Sequence, residues 1–406
     1  MTEAKKLQFF NDPIYGFIGT PNELVYQLIG HPYFQRLRRI SQMGMSYLVY
    51  PGAHHTRFHH ALGSMHLMTK AIGILRQKGV AISQTEESGL LCAILLHDVG
   101  HGPFSHALEG FLLEGVSHEA LSLQFMEALN SEFDGALDVA IAIFKGEYPR
   151  IFMNQLVSSQ LDMDRLDYLK RDSFYSGVTE GNINSERLIS MLNVKDDQNV
   201  VEEKGIYAVE KFLMARTFMY WQVYLHKTSL AAEQMLIRIM QRAKTLLLAG
   251  IELRGGERLS LFLQSDAISF PEEHLENFAL LDDTDILFAL KQWQFAEDKV
   301  LSILCSMLLE RRLLHVKMKN KPFDAEKLFN RKQKVSDYFG LTHEETDYLM
   351  FQGHVSHTAY NPAVQPITIL RNSGKLISLV NESDHFGPKA LSKSVSKYYC
   401  CYPKFC

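Results

Sequence analysis

The sequence is poor in cysteine and tryptophan and carries little net charge. Its 406 residues include five cysteines and two tryptophans, and 42 basic against 46 acidic residues leave a net charge of −4. A sparse, odd set of cysteines in a large chain is typical of reduced thiols in a cytoplasm rather than of a disulfide framework. The small negative charge gives no basic field for nucleic acid, so we expect nucleic-acid binding to be absent or secondary.

Long apolar runs, a signal peptide and low-complexity tracts are also missing. The longest apolar stretches, such as 90–96, fall far short of the roughly 18–20 residues that span a bilayer. The N-terminal residues 1–6 lead directly into polar and aromatic residues, without a signal-peptide core. We therefore expect a cytoplasmic globular protein with no membrane partner, long enough for one large core or two smaller ones.

The cysteines that are present crowd the C-terminus, at Cys400, Cys401 and Cys406. Their spacing matches no zinc-finger pattern and no histidine accompanies them. Reduced thiols are the simpler interpretation, and a metal site is the alternative.

Helical periodicity dominates the first 250 residues. Apolar residues at three- and four-residue spacing predict helices; these segments are 21–40, 57–77, 87–97, 104–113, 118–130, 136–145, 155–171 and 207–249. Short alternating segments predict strands at 46–50 and 199–207 and a hairpin over 367–380. These segments predict a mainly α protein. Gly, Ser, Pro and acidic residues increase over 253–285, which predicts a domain boundary near residue 250. We therefore expect a helical catalytic domain at 1–250 and a smaller appendage of helices and strands at 251–406.

The dipeptide His97-Asp98 is the most informative feature. It ends the apolar run 90–96, which predicts a buried helix, and Gly100 and Gly102 predict the end of that helix. Buried ionisable pairs are costly unless they are paired or hold a metal. Ten of the seventeen histidines precede residue 120, although for any one of them a hydrogen-bonded core or surface role remains the alternative.

Two other segments can supply further ligands. His60 opens the predicted helix 57–77 and can face His97 across a helix pair. If 161–172 is helical, Asp164, Tyr168 and Asp172 share one face at four-residue spacing. Such a face suits a sugar and a phosphate, although a solvated helix face is the alternative.

The other two acids of this run, Asp162 and Asp167, point elsewhere, and we predict capping or surface roles for them. Imidazole with carboxylate suits Mn, Fe, Co, Ni or Zn, and carboxylate with water also suits Mg. Two or three histidines with one or two aspartates leave coordination positions open, as a catalytic metal site requires.

An ordered set of motifs over residues 8–250 resembles the HD-domain phosphohydrolase superfamily. The metal motif is matched by Arg57…His60, His97-Asp98 and Asp164. Further stretches resemble the dNTP triphosphohydrolase branch, which includes a vertebrate enzyme with a sterile alpha motif and bacterial dGTPase-like proteins; these stretches are 11–16, 34–38, 42–44, 50–53, 97–106, 162–168 and 224–227. The resemblance implies an HD-domain helical bundle and conversion of deoxynucleoside triphosphates to deoxynucleoside and tripolyphosphate.

The resemblance also implies roles for individual residues in this reaction. A divalent metal would be held by His60, His97, Asp98 and Asp164. The catalytic group would comprise a proton-transferring histidine, the acid that orients it and two phosphate-contacting residues; these are His118, Glu109, His101 and Arg57. Substrate contacts would come from Gln42 and Asp172 to the sugar 3′-hydroxyl, from Tyr168 and Tyr224 to the deoxyribose, and from His106, Arg165 and Arg216 to phosphate.

The sequence also departs from the family pattern. Gln35 and Arg38 of the vertebrate relative's allosteric site are retained, whereas its guanine-reading acid is replaced by Gly30 and a nearby lysine by Gln8. This argues against guanine-specific activation and leaves activator-free turnover or a different regulatory nucleotide open. The family implies a homo-oligomer, with contacts built by the segment after residue 250.

Two other functions remain as alternatives. One is an HD phosphohydrolase that acts on a nucleoside monophosphate or a signalling nucleotide. Arg57, Arg165, Arg216 and Lys227 weigh against it, because together they supply more positive charge than one phosphate needs. The other is a nucleotide-binding regulator without catalysis, which would predict a broken metal set rather than the complete one present.

Overall fold

The computed structural model describes residues 8–264, 272–358, 360–382 and 393–404. The first half is built from α1 Glu23–Gly30, α2 Pro32–Gln35, α3 Arg57–Gln77, α4 Gln84–Leu96, α5 Ser105–Leu108, α6 His118–Glu132, α7 Asp138–Lys145, α8 Ile151–Val157, α9 Met163–Ser176, α10 Ser185–Ser190, α11 Ile206–Met219 and α12 Lys227–Leu248. The second half adds α13 Glu257–Gln264, α14 Glu272–Ala279, α15 Asp283–Trp293, α16 Lys299–Leu309, α17 Ala325–Phe339, α18 His343–Thr346 and α19 Leu379–Glu382. The fold is mainly α, as predicted.

Three small sheets accompany the helices. Their strands are β1 Phe9–Asp12, β2 Gly16–Gly19, β3 Leu192–Lys195, β4 Gln198–Glu202, β5 His315–Lys319, β6 Phe351–His357, β7 Thr368–Leu370, β8 Leu376–Ser378 and β9 Val395–Tyr402. The sheet orders are β1-β2, β3-β4-β7-β8 and β5-β9-β6. In the second sheet β4 pairs in parallel with β7, so strands from both halves of the chain share one sheet.

Most predicted helices are present, with shifted ends or internal breaks. Helix α3 matches 57–77, whereas the predicted 155–171 divides into α8 and α9 and only Ser105–Leu108 of 104–113 is helical. The predicted 207–249 is interrupted by a π-helix at Tyr220–Tyr224. The predicted strand at 46–50 is wrong. A 3-10 helix spans Gly44–Leu48 there, because Gly44 adopts a φ of +50° and starts a turn.

The C-terminal predictions are largely correct. Strands β7 and β8 form the expected hairpin, with Thr368 opposite Ser378, while 379–380 continue as α19 instead. The segment 199–207 is a strand only to Glu202 and turns helical at Ile206. Cys400 and Cys401 are buried free thiols in β9, and Cys406 lies outside the described residues.

A buried network joins the two halves of the chain. Arg36 donates hydrogen bonds to the carbonyls of Val99, at 3.0 Å, and Ala279, at 3.1 Å. Asp283 accepts from the backbone N–H groups of Ser41 and Phe104, both at 2.8 Å. One continuous hydrophobic core includes buried residues from both sides of residue 250. The boundary near residue 250 stays a prediction.

No helix within the described ranges combines the length and the apolar character that a membrane span requires.

Candidate metal-centred active site

Three helix ends bring the predicted metal ligands together. His60 lies in the first turn of α3, His97 caps the C-terminus of α4, and Asp164 is the second residue of α9. Helix α3 packs against both α4 and α9. Asp162 fixes the start of α9, because its carboxylate accepts from the N–H of Arg165 at 2.7 Å, which confirms the predicted capping role.

The Nε2 atoms of His60 and His97 each lie within 3.7 Å of a carboxylate oxygen of Asp164 and of Asp98. Asp164 Oδ1 lies 3.1 Å from His60 Nε2 and 3.5 Å from His97 Nε2. Asp98 adds Oδ1 at 3.3 Å from His97 Nε2 and Oδ2 at 3.7 Å from His60 Nε2. His60, His97 and Asp164 therefore form one group of atoms that could hold a metal ion, and Asp98 lies directly beside it.

The outer nitrogens of both imidazoles are fixed by hydrogen bonds. His60 Nδ1 lies 2.8 Å from Asp167 Oδ2, and His97 Nδ1 lies 2.7 Å from the carbonyl oxygen of Ile94. Both Nε2 atoms are buried and have no hydrogen-bond partner in the described structure. A metal-ligating histidine uses this arrangement, with one ring nitrogen donating outward and the other free for the metal. These residues therefore fit a divalent metal ion.

The electrostatics favour positive charge at the same point. Burial disfavours protonation of His60, but the adjacent carboxylates of Asp164 and Asp167 outweigh it and raise its pKa to about 10. Burial likewise opposes protonation of His97, and the adjacent Asp98 with Asp164 raises its pKa. A bound cation would satisfy the same carboxylates.

Asp167 does not have the surface role predicted for it. Its side chain is fully buried, and besides His60 it accepts from Arg171 at 2.9 and 3.0 Å. Arg171 also donates to Asp12 at 2.7 Å. The i,i+4 spacing of Asp167 and Arg171 was the available signal, but only the packing of α9 against α3 shows that this pair faces inward.

A second cluster lies beside the first. His101 Nε2 is 3.3 Å from Asp98 Oδ1, and the His101 ring stacks on His118 with centroids 4.0 Å apart. His118 Nδ1 forms a short hydrogen bond with Glu109, which also accepts from the His118 N–H at 3.2 Å. The structure thus brings together the predicted proton-transferring histidine and its acid. Asp98, His101 and His118 also form a group with potential metal-ligand atoms.

The protonation of this cluster follows from its contacts. Burial opposes a charged His118, but the Glu109 hydrogen bond outweighs it and raises the His118 pKa. The same hydrogen bond lowers the pKa of Glu109 to about 2. Burial and the charge of Arg57 hold the pKa of His101 well below its usual value. These contacts therefore favour the charged form of His118 and the neutral form of His101.

Arg57 is committed to internal contacts. Its guanidinium donates to Asp98 Oδ2 at 2.5 Å and to Ser105 Oγ at 2.8 Å. It therefore orients the carboxylate of Asp98, one of the predicted metal ligands, and its predicted phosphate contact stays a prediction. His106 is a residue of α5, and its side chain is outside the described part of the structure.

The α9 face carries the predicted sugar-binding group. The Tyr224 hydroxyl donates to Asp172 Oδ2 at 2.6 Å, and the Tyr168 ring lies 6.3 Å from the Tyr224 ring and 6.4 Å from that of His60. His55 Nε2, a residue to which sequence reasoning gave no role, lies 2.6 Å from Asp172 Oδ1. Asp172 is therefore held by two side chains, and the rings of Tyr224 and Tyr168 connect it to His60 of the metal-ligand cluster.

The remaining predicted residues border this group. The Gln42 N–H donates to the His55 carbonyl at 3.0 Å, and Gln42 Oε1 is buried without a partner in the described structure. Arg165 lies 3.8 Å from Asp164 Oδ2, and Arg216 donates to Gln160 Oε1 at 3.2 Å. Arg165 thus contacts a carboxylate of the metal-ligand cluster, and Gln42 contacts the residue that pairs with Asp172.

Replacing Gly100 by alanine is expected to disturb this centre through the backbone. An added Cβ would lie 2.2 Å from the Ser122 nitrogen and 2.4 Å from the His118 carbonyl oxygen. Overpacking of this kind costs about 1–3 kcal/mol, and here no flexible side chain can move aside. Thermal unfolding should show a lower Tm for Gly100→Ala. Gly73→Ala is the control, because nothing lies within 4 Å of that Cβ, and an unchanged Tm in both variants would contradict the expected clash.

Comparison with known proteins identifies the family. The HD domain model matches residues 57–172, and the HD associated region model matches 183–249. The uncharacterized protein YwfO of Bacillus subtilis strain 168 is 33% identical over 395 residues, covering 92% of this chain and 87% of YwfO. The chain belongs to the HD-domain family. Both clusters, Tyr168 and Asp172 lie within the HD match, and Arg216 and Tyr224 lie within the HD associated region; Gln42 and His55 precede both matches.

Further relatives place this HD-domain protein in the dNTP triphosphohydrolase-like branch. The deoxynucleoside triphosphate triphosphohydrolase SAMHD1 homolog of Dictyostelium discoideum is 31% identical over 254 residues, covering 58% of this chain and 49% of that protein. The chain thus spans about half the length of this relative. A crystallised phosphohydrolase from Bacteroides thetaiotaomicron VPI-5482 shares 48% identity with a TM-score of 0.94, covering 98% of this chain and 100% of that one.

Proposed function

We propose that this HD-domain protein is a metal-dependent hydrolase that converts deoxynucleoside triphosphates to deoxynucleoside and tripolyphosphate. The observation that carries the proposal is the Asp172 carboxylate, fixed by the Tyr224 hydroxyl and His55 beside the metal-ligand cluster. A sugar hydroxyl bound by Asp172 would hold the 5′ end of the nucleotide toward His60, His97, Asp98 and Asp164. The SAMHD1 relatives support the same substrate class.

The residues around the phosphates would bind the metal, donate a proton to the leaving group and bind the phosphate oxygens. A divalent metal at the four ligands would supply a bound water of lowered pKa and withdraw charge from the α-phosphate. His118, kept protonated by Glu109, would give its proton to the leaving 5′ oxygen. His101, neutral and buried, would hydrogen-bond a phosphate oxygen, and Arg165 with Arg216 would balance the charge of the polyphosphate.

The sugar side of the site would set the preference for deoxynucleotides. Tyr168 and Tyr224 would pack their rings against the deoxyribose. Asp172 and Gln42 would hydrogen-bond its 3′-hydroxyl. A close fit of the two rings to the sugar would exclude a 2′-hydroxyl, so ribonucleotides should be hydrolysed more slowly. A homo-oligomer, a regulatory nucleotide and a cytoplasmic location stay predictions.

A substrate panel tests the proposal. Purified protein is incubated with each dNTP, the matching ribonucleotides and deoxynucleoside monophosphates, with Mn²⁺, Mg²⁺ or Co²⁺. We expect tripolyphosphate and deoxynucleoside from dNTPs, with at least one of these metals. Hydrolysis of monophosphates alone would favour the other class of HD phosphohydrolase, and no turnover of any substrate would favour a binding protein.

Replacing Glu109 by glutamine tests the proton-transfer role. We expect kcat to fall by about 10–100-fold with little change in KM, since general acid catalysis contributes about 10²–10⁴-fold. Activity requires protonated His118, so it falls as pH rises through the His118 pKa. The substitution removes the charge that raises this pKa, and the alkaline limb of the kcat profile should move to lower pH. Glu119→Gln is the control, because Glu119 is exposed and 4.0 Å from His118; an unmoved limb in Glu109→Gln would contradict the role.

A further inference from the structure

One histidine of the C-terminal half, His357, contacts the aromatic residues that border the candidate active site. Strand β6 ends at His357, whose ring stacks on Tyr220 with centroids 3.4 Å apart and planes inclined by 13°. His357 is only 8% exposed, although it lies more than a hundred residues beyond the last predicted site residue. Nothing in its local sequence distinguishes it from the other histidines of the C-terminal half.

Tyr220 links His357 to the proposed substrate site. It begins the π-helix Tyr220–Tyr224, and its ring lies 5.3 Å from that of Tyr224. Tyr224 continues the row of aromatic rings to Tyr168. Short π-helical segments occur frequently at functional sites, where they shift the register of the residues that follow. His357 therefore stands at the outer end of a row of rings that leads to the metal-ligand cluster.

His357 also lies close enough to Arg216 to be influenced by its charge. Burial and the Arg216 charge lower the pKa of His357 to about 4, so the imidazole is neutral near pH 7. His357 Nε2 and Arg216 Nε are both buried and lack a hydrogen-bond partner in the described structure. Buried polar atoms are nearly always paired, and an unpaired one is costly. An anionic oxygen serves both nitrogens, because it accepts from a guanidinium and from an imidazole N–H.

We propose that His357 is a substrate-binding residue that acts with Arg216 to hold the terminal phosphates of the substrate. This inference rests on the proposed function, since it assigns a subsite for the polyphosphate of a nucleoside triphosphate. It also gives the C-terminal half a direct part in the site. Without His357, the phosphate end would keep Arg165 and Arg216 but would lose a neutral donor and the ring that supports Tyr220.

Binding of inorganic tripolyphosphate tests the inference without turnover. Its affinity is measured by calorimetry with excess Mg²⁺ for the wild type, His357→Phe, His357→Gln and His354→Phe. His357→Phe retains a ring for Tyr220 but has no nitrogen, and we expect about tenfold weaker binding, equivalent to about 1.4 kcal/mol. His357→Gln keeps a donor and should recover part of this loss. His354 is exposed on the same strand, and its variant should bind as the wild type does.

Failure of the His357 inference and failure of the proposed function give different results. Equal tripolyphosphate affinity in wild type and His357→Phe, or no binding by the wild type, would overturn the inference even if dNTPs are hydrolysed. Absence of dNTP hydrolysis by the wild type would refute the proposed function, whatever the variants show. If His357→Phe does not fold, the His357 imidazole signals of the wild type are followed by NMR during the titration. A shift on tripolyphosphate addition supports binding, and unmoved signals overturn it.

Discussion

Replacing His97 by alanine should remove the bound metal and abolish dNTP hydrolysis together. His97 Nε2 faces Asp98 and Asp164 and lacks a hydrogen-bond partner in the described structure, so the substitution deletes one of four converging ligand atoms. Loss of an outer-shell partner alone typically costs about 10–100-fold in metal affinity or activity. Loss of the ligand itself should therefore exceed about 100-fold in both.

The fold should largely survive this substitution. His97 ends α4, and its side chain contributes one hydrogen bond to the carbonyl of Ile94. An unsatisfied buried carbonyl costs about 1–3 kcal/mol, which lowers Tm without preventing folding. Metal content is measured by elemental analysis, and activity by product release. His343→Ala, an exposed histidine in α18, is the control. A His97→Ala protein with full metal content and activity within tenfold of wild type would contradict the assignment.

Replacing Arg171 by methionine should destabilise the folded protein severely. Its guanidinium is fully buried and donates to the carboxylates of Asp12 and Asp167. Burial alone would raise the pKa of Asp167, but Arg171 and His60 outweigh it and lower that pKa to about 2. Removing the arginine leaves two buried carboxylates without their cation, which typically costs about 3–5 kcal/mol.

Urea denaturation measures this loss as a lower midpoint at similar slope. The control is Lys70→Met, because the Lys70–Glu186 pair is exposed and such pairs contribute at most about 1 kcal/mol. Metal affinity should fall as well, since Asp167 orients His60. A stability change below about 1 kcal/mol in Arg171→Met would show that the buried network does not support the centre in this way.

The helices and the residues of the candidate metal site could be predicted from the sequence. Apolar spacing located α3 and α4, and the His97-Asp98 pair marked the end of α4. The resemblance then joined His60 and Asp164 to that pair, and the structure places their ligand atoms close together. These features depend on helix periodicity and on residue types at fixed spacing, both of which are present in the sequence itself.

Contacts between residues far apart in the sequence could not be predicted, because they depend on tertiary packing. The i,i+4 spacing of Asp167 and Arg171 is equally common for ion pairs on exposed helix faces. Only the packing of α9 against α3 buries Asp167 next to His60. His357 reaches Tyr220 because β6 and β9 form a sheet that begins far along the chain. Asp283 caps the Phe104 N–H, 179 residues away, and no periodic signal marks such a contact.

The fate of the water oxygen tests the central claim most directly. Wild-type protein is incubated with a dNTP and divalent metal in ¹⁸O-labelled water, and the products are identified by ³¹P NMR and mass spectrometry. Attack on the α-phosphorus with release of the 5′ oxygen predicts unlabelled deoxynucleoside and tripolyphosphate that carries one ¹⁸O. Labelled orthophosphate or pyrophosphate, or label in the deoxynucleoside, would contradict the proposed triphosphohydrolase.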